Sequence, residues 1–208
     1  DFLPSSIFLT HHHPDHHEFS NNLARELNVP MKMSEDTHQR LIIKFGITYF
    51  EKIDVELVYD GEVITQSCGK DIYLYSIPGH DEGQLGLAPK SMEWFIVSDL
   101  IQTIGTVVIG GDEGDMGKYF KSLEKVINLD PKIVIPSHGI AMGGTKQLKD
   151  TLQHRMMREG QIIDLLRKNN KKKDIFEVVY AGLDTRLHKY ALKTIDAHLK
   201  KINDEKLV

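Results

Sequence analysis

IFLTHHHPDHH, residues 7–17, is the stretch of this chain from which its fold can be predicted. Residues 7–9 form a short apolar run that is typical of a buried strand. Alternate side chains of an extended segment share one face, so His11 and His13 would point at the same place. The stretch therefore predicts a strand that ends in a metal-binding loop.

Pro14 then turns the chain, and we expect Asp15 and His16 to lie near the start of the next helix, aimed back at the same place. An affinity tag is the alternative interpretation of so many histidines. A tag is normally an uninterrupted run at a terminus. This run follows a strand and is broken by Pro14 and Asp15, which favours a functional site.

Three further strands are predicted to end in a metal-binding type of residue. DIYLYSIPGH ends in His80, WFIVSD ends in Asp99, and KIVIPSHG delivers His138. Each of these residues lies just past the C-terminal end of an apolar strand, where a sheet presents its loops. We therefore expect them to meet the histidines of residues 11–16.

The pattern His11-x-His13-x-Asp15-His16, followed by His80, Asp99 and His138, resembles the signature of the metallo-β-lactamase fold superfamily. The resemblance implies an α/β (α+β) architecture, the αββα sandwich, over residues 1–148. Relatives normally have several strands before the histidine motif, so an N-terminally truncated sandwich with an incomplete front sheet is expected. The family also usually has two glycines where this chain has Glu18 and Phe19.

The resemblance also implies two divalent metal ions, with zinc favoured and manganese or iron as alternatives. His11, His13 and His80 would hold one ion, and Asp15, His16 and His138 the other, with Asp99 bridging the two. The pair would share a hydroxide that attacks the substrate, and Asp15 would steer this nucleophile or carry its proton. His12 and His17 are spare, and we interpret them as lying behind the ligands or in solvent.

The C-terminal part of the chain carries a different charge. From Asp150 onward there are 13 Lys and Arg against 9 Asp and Glu, which is +4 and leaves −8 for residues 1–149. Apolar periodicity predicts helices over residues 148–168 and from about residue 184 to 201. Arg155 and Glu159, at i and i+4, are interpreted as a pair on a solvated face.

We therefore predict a second, helical module over residues 149–208. Its arrangement, including the HR-x-x-RE run, resembles the winged-helix-like C-terminal extension of the β-lactamase-like protein 2 group. Lys171, Lys172 and Lys173 are predicted in a loop of this module and are its candidate contacts to RNA. The alternative for these lysines is an ordinary solvated face.

Composition limits the setting of the protein. The net charge of −4 does not indicate nucleic-acid binding, and one cysteine, Cys68, fits a reducing compartment. No apolar run is long enough to span a membrane. We expect a cytoplasmic protein, or one of another reducing intracellular compartment, with no membrane partner. A homodimer through the exposed edge of the front sheet is also expected.

Two local expectations depend on turn and helix patterns. VELVYDGEVI, residues 55–64, is interpreted as a hairpin with its turn at Asp60 and Gly61. Phe19, Leu23 and Leu27 recur every four residues, which predicts a helix over residues 18–27 that buries them.

Three functions remain open from the sequence. The closest subgroup implies a dinuclear-metal phosphodiesterase that cuts single-stranded RNA. A thioesterase of the hydroxyacylglutathione hydrolase type shares the same ligand set and would take a small-molecule substrate. A non-enzymatic binding module on a degenerate hydrolase is the third, and the intact ligand set disfavours it.

Overall fold

The computed structural model describes residues 4–208. The first sheet has three parallel strands, β1 (Ile7–Phe8), β2 (Met31–Met33) and β3 (Val55–Leu57), in that order. Parallel neighbours need a crossover connection. α1 (Pro14–His17) and α2 (Ser20–Leu27) provide the first crossover, and α3 (Glu35–Phe45) with a 3-10 turn at Ile47–Phe50 provides the second. The expectation that further strands belong beside β1 stays a prediction.

The second sheet has six strands in sequence order. Its members are β4 (Val63–Ser67), β5 (Lys70–Ser76), β6 (Leu85–Pro89), β7 (Phe95–Ser98), β8 (Ile133–Pro136) and β9 (Met142–Gly143). β7 and β8 are parallel, with α4 (Met116–Leu129) between them, and the other neighbours are antiparallel. The strands β6 and β9 were not anticipated from the sequence.

The αββα sandwich is confirmed. Phe8 of the first sheet packs against a buried cluster of Val58 with Leu74 and Leu85 of the second sheet, which joins the two sheets face to face. The outer side of the first sheet packs against α2 and α3, for example through Ala24 and Leu41. The outer side of the second sheet is covered by α4 and by parts of the C-terminal helices.

The predicted hairpin over residues 55–64 is wrong. β3 pairs with β2 in the first sheet, whereas β4 pairs with β5 in the second. Asp60 and Gly61 therefore lie in a connection between the two sheets and not in a hairpin turn. The hairpin turn is Cys68-Gly69, where both residues have positive φ (50° and 73°), as a two-residue turn of this kind requires. Asp60 instead accepts the backbone N–H of Ser76 through Oδ1 at 2.5 Å.

The predicted apolar face of α2 is also wrong. Phe19 is 69% exposed and Leu23 46% exposed, and the helix buries Ser20 and Ala24 instead. The helix begins at Ser20 because Phe19 has a left-handed backbone (φ 65°). Glycine adopts this conformation easily and phenylalanine does not, so the backbone is strained at this point.

The C-terminal helices are α5 (Lys146–Arg167), α6 (Lys172–Val179) and α7 (His188–Asp204), with a 3-10 turn at Thr185–Leu187. The predicted domain boundary at residues 148/149 falls in the first turn of α5. Within the module, Ile162, Ile175, Val179, Ile195 and Ile202 form a buried core of their own. Among the described residues no helix is long and apolar enough to cross a membrane.

The interpretation of Arg155 and Glu159 as a solvated pair is wrong. Arg155 is 3% exposed and Glu159 is 7% exposed. A guanidinium N–H of Arg155 donates to the carbonyl of Val107, in the segment that follows β7. Glu159 contacts His198 of α7. α5 therefore packs these side chains against α7 and against the two-sheet part of the chain, which we call the first domain. The predicted loop at residues 171–173 is also wrong, because α6 already begins at Lys172.

Candidate metal centre

All the predicted ligands follow strand ends or the adjoining helix on one edge of the sandwich. His11 and His13 come after β1, Asp15 and His16 lie on α1, His80 comes after β5, Asp99 after β7 and His138 after β8. The described side chains form four groups whose ligand atoms lie within 4.8 Å of one another, and one of them, His12 with His13, Asp81 and Glu113, lies beside the predicted ligands. The other three overlap and consist of predicted ligands alone. These groups are His11 with His13 and His80, His11 with His16 and Asp99, and Asp15 with His16 and His138.

In the first group, three imidazole nitrogens face one another. His13 Nδ1 lies 3.1 Å from His11 Nε2 and 2.9 Å from His80 Nε2. The other nitrogen of His80, Nδ1, lies 2.9 Å from the carbonyl of Val108, which can only accept, so Nδ1 carries the hydrogen. In the same way His13 Nε2 lies 2.8 Å from a carboxylate oxygen of Glu113. Lone pairs are therefore left at the nitrogens that converge.

The second group contains Asp15, His16 and His138. Asp15 Oδ2 lies 3.1 Å from His138 Nε2 and 3.7 Å from His16 Nε2. Asp15 and His138 are exposed, whereas His16 is half-buried, so this group faces the solvent side of the site. The first group, in which His11 is fully buried, forms its floor.

Asp99 joins the two groups. Its Oδ2 lies 3.6 Å from His80 Nε2 and 3.4 Å from His138 Nε2, and its Oδ1 lies 3.4 Å from His16 Nε2. Although burial by itself would raise the pKa of Asp99, the adjacent His16 and the other neighbouring histidines lower it overall. Asp99 is therefore a carboxylate at neutral pH.

The site residues fit a metal ion. His16 Nε2 and Asp99 Oδ1 are buried and find no hydrogen-bond partner among the described residues. Burial, followed by the charges of neighbouring histidines, lowers the pKa of His11 well below its ordinary value, which keeps its imidazole neutral. Imidazole nitrogens and carboxylate oxygens that converge on one place are the donors that divalent first-row metals bind.

Gly79 lets α4 approach the loop that carries His80. Its φ is 130°, and a Cβ added there would lie 2.3 Å from the Cα of Tyr119 on α4. The backbone carbonyl of Gly79 accepts the N–H of Asp115, whose side chain caps α4 through the N–H of Lys118. The Pro78-Gly79-His80 sequence thus fixes the loop against a helix, which in turn positions the imidazole.

His12 belongs to a buried ion cluster beside the site. His12 Nδ1 lies 2.5 Å from Asp81 Oδ2, and His12 Nε2 lies 3.3 Å from Glu113 Oε1. Burial lowers the pKa of His12, but the hydrogen bonds and charges of Asp81 and Glu113 more than offset this and raise it to about 9. A protonated His12 therefore balances the charge of these carboxylates.

Sequence reasoning missed Asp81 and Glu113. Asp81 is fully buried, and Glu113 contacts both His12 and His13, so these acids orient the histidine motif. The position of Asp81 directly after His80 was an available signal. Glu113 lies in the run GGDEGD, where nothing in the sequence distinguishes it from its acidic neighbours. His17 is also buried and not solvated, with Nδ1 3.1 Å from the hydroxyl of Tyr49.

The three candidate RNA-binding lysines are at the start of α6. The backbone N–H of Lys171 donates to Asp174, the amine of Lys172 lies 2.5 Å from Asp196 Oδ1, and that of Lys173 lies 3.8 Å from Glu177. All three side chains are exposed. Their RNA contact stays a prediction.

The profile of a family described as the metallo-beta-lactamase superfamily matches residues 4–138, which include every candidate ligand. This chain belongs to the metallo-beta-lactamase superfamily. Members of this superfamily are mostly metal-dependent hydrolases. A second profile, described as the beta-lactamase associated winged helix domain, matches residues 173–208 and confirms the predicted kind of C-terminal module.

Known members of the metallo-beta-lactamase superfamily resemble the chain to different extents. It is 27% identical to the Beta-lactamase-like protein 2 homolog of Drosophila melanogaster over 96% of its own length and 68% of that protein. It is 32% identical to the hydroxyacylglutathione hydrolase of Wigglesworthia glossinidia brevipalpis, over 64% of its own length and 46% of that protein.

Solved structures show the same fold. A beta-lactamase domain protein from Burkholderia ambifaria superposes with a TM-score of 0.80 at 18% identity, over 95% of this chain and 67% of that one. The chain thus spans about two thirds of the Drosophila and Burkholderia proteins.

Proposed function

We propose that this protein is a dinuclear-metal hydrolase and that its substrate is a phosphodiester bond of single-stranded RNA. The observation that carries the proposal is the position of Asp99. Its carboxylate lies within 3.6 Å of His80 in one ligand group and of His16 and His138 in the other. One carboxylate that reaches two ligand groups is the arrangement that holds two cations side by side.

In this proposal His11, His13 and His80 hold one ion, and Asp15, His16 and His138 hold the other. Nitrogen and oxygen donors without a thiolate suit zinc, with manganese and iron as alternatives. Two bound cations would supply Lewis acidity and a low pKa for bound water. Glu113 and the Val108 carbonyl keep the donor nitrogens of His13 and His80 free of hydrogen.

Asp15 is the proposed proton carrier. Its Oδ2 lies beside His138 Nε2 at 3.1 Å, and its carboxylate is 57% exposed, so a proton taken up there can pass to bulk water. Buried Asp99 has no such route, since its carboxylate is only 10% exposed. Both aspartates would therefore be ligands, with Asp99 shared by the two cations and Asp15 also moving the proton.

The choice of RNA is supported by the extent of the resemblance. The likeness to the Beta-lactamase-like protein 2 homolog covers nearly the whole chain, including the helical module with its positive excess. The likeness to hydroxyacylglutathione hydrolase is higher in identity but covers only 64% of the chain. That likeness keeps a thioesterase as the second candidate.

A side-by-side assay separates the two candidates. The protein loaded in turn with zinc, manganese and iron is given a single-stranded RNA and a glutathione thioester. We expect RNA cleavage that is lost in the presence of a chelator. Thioester hydrolysis without RNA cleavage would assign the second function and refute the first.

A salt series tests the role of the module. If the protein neutralises RNA phosphates, affinity should fall by about 0.7 log unit per log unit of salt for each phosphate contact. Replacement of Lys171, Lys172 and Lys173 by glutamate should reduce that slope. The control replaces Lys52, Lys90 and Lys132 by glutamate, since these exposed residues of the first domain lie away from the ligands. Equal effects of the two triple variants would exclude a specific role for α6.

A further inference from the structure

A cavity of about 430 Å³ lies between the first domain and the helical module. We call it the module cavity. One wall is formed by parts of the segment 102–108, and the other by α5, by α7 and by the connection between α6 and α7. Its volume is within the range of about 300–1,000 Å³ that small-molecule pockets occupy.

The module cavity adjoins the candidate metal centre through its first wall. The carbonyl of Val108, which lines the cavity, accepts the hydrogen bond of His80 Nδ1 at 2.9 Å. At the other end of the same segment, the N–H of Thr103 donates to the carbonyl of His138 at 3.2 Å. A molecule in the cavity would therefore lie against a segment that contacts one metal-ligand residue, His138, near its start and another, His80, at its end.

Two arginines of α5 line the cavity, and no carboxylate pairs with either of them among the described residues. Arg155 is 3% exposed and Arg158 is partly buried. In both, Nε is buried and has no hydrogen-bond partner within residues 4–208. None of the residues that line the cavity in this part of the chain is acidic. Two guanidinium groups with no carboxylate among the residues that line the cavity favour an anionic ligand.

Aromatic and apolar side chains form the rest of the module wall. The guanidinium of Arg158 lies 5.4 Å from the ring centre of Tyr180, and Tyr190 and Leu187 line the same cavity. Base–aromatic stacking is a common way to bind single-stranded nucleic acid, because every base offers a flat face. Glutathione, also an anion, has no group that would use the tyrosines.

We propose that the module cavity binds one nucleotide of the substrate strand, with the phosphate at Arg155 and Arg158 and the base at Tyr180 and Tyr190. This proposal rests on the proposed function, which it deepens by naming a subsite. Arg155, whose helical spacing predicts a place on a solvated face, would then act with Arg158 to determine which substrates the metal centre receives.

Binding of adenosine 5′-monophosphate to the full-length protein tests the subsite. Calorimetry is performed on the metal-loaded wild type and on Asp99→Ala, which separates the cavity from phosphate binding by the cations. We expect binding in both proteins, and weaker binding of inorganic phosphate and of reduced glutathione. No nucleotide binding in Asp99→Ala, or glutathione binding as tightly as the nucleotide, would overturn the proposal.

Two variants localise the binding. Arg158→Gln removes a charge-assisted hydrogen bond and should weaken nucleotide binding about tenfold or more. Arg167→Gln, on an exposed residue of the same helix, should leave it unchanged. Because Arg158 also donates to the carbonyl of Val179, Tyr190→Ala serves as the second variant, on a ring that is 39% exposed. Unchanged affinity in both variants would refute the assignment.

The outcomes distinguish the subsite from the activity. Nucleotide binding without RNA cleavage would refute the proposed function and keep the cavity as a nucleotide site. RNA cleavage without nucleotide binding would keep the function and refute the subsite.

Discussion

Two buried polar clusters of this protein are built in opposite ways. At the candidate metal centre, His13 and His80 face each other with lone pairs, His11 Nε2 lies 3.1 Å from His13 Nδ1, and nearby atoms such as Asp99 Oδ1 are unpaired. In the helical module, Glu159 Oε2 lies 3.1 Å from His198 Nδ1, and Glu159 Oε1 accepts a hydrogen bond from the amine of Lys201 at 2.7 Å.

The two clusters have different requirements. The module cluster brings opposite charges together, so folding alone satisfies Glu159. The metal centre brings like groups together, so it needs a cation from outside the chain. The stability given by the module cluster should therefore depend on pH, and that given by the metal centre on metal ions.

The largest effect is expected for Asp99→Ala. Loss of the shared carboxylate should lower bound metal and reduce activity at least about a thousandfold, because metal catalysis contributes several kcal/mol to the transition state. The variant should stay folded, and a chelator, which we expect to lower the melting temperature of the wild type, should leave that of the variant unchanged. Asp112→Ala, on an exposed acid of the loop before α4, is the control. Unchanged metal content by elemental analysis in Asp99→Ala would contradict the assignment.

The second prediction concerns Glu159→Ala. Lys201, whose side chain is 10% exposed, would lose its partner on α5, and breaking a buried pair typically costs about 3–5 kcal/mol. The low end is expected, since Lys201 keeps Glu205 at 2.8 Å. Urea unfolding measures the change, with and without metal. Glu177→Ala removes an exposed partner of Lys173 and should cost less than about 1 kcal/mol. Similar losses of unfolding free energy in both variants would show that burial of the cluster does not increase its contribution to stability.

The third prediction is a pH dependence. Burial would raise the pKa of Glu159, but the hydrogen bonds from His198 and Lys201 lower it below its ordinary value of 4.5. The carboxylate therefore stabilises the fold fully above about pH 4.5 and loses this contribution as the pH falls through its lowered pKa. The stability gap between wild type and Glu159→Gln should narrow between pH 6 and pH 3. A gap independent of pH would mean that the charge of Glu159 is not responsible.

The smallest effect is expected for Phe19→Gly. The left-handed backbone at Phe19 is strained for a side chain with a Cβ, and the ring is 69% exposed, so glycine should stabilise the protein by about 0.5–1 kcal/mol. Phe19→Ala, which removes the ring but keeps the strain, is the matched control. Equal stability of the glycine and alanine variants would show that the backbone conformation is not the cause. Metal content should not change in either variant.

The sequence was sufficient where the signal is local. Strand-to-histidine junctions such as that at His80 can be seen within ten residues, so the fold and the residues that meet at the centre could be predicted together. The two turn candidates, Asp60-Gly61 and Cys68-Gly69, are equally local, yet only strand pairing across the two sheets decides between them.

Other features depend on tertiary packing. Arg155 and Glu159 have the spacing of an exposed helical pair, and only the arrival of α7 with His198 and the contact to Val107 bury them. Glu113 reaches His13 across 100 residues of sequence, through a loop whose path the sequence does not specify.

The segment 102–108 couples α5 of the helical module to the ligand group that contains His80. Arg155 holds the carbonyl of Val107, and His80 holds the carbonyl of Val108, one peptide further on. A ligand that engages Arg155 and so orders this segment would raise the affinity of the His80 group for its cation. By linkage, the cation would raise the affinity for that ligand by the same factor. Measured substrate affinities of this protein should therefore depend on free metal concentration even for substrate parts that never contact the metal.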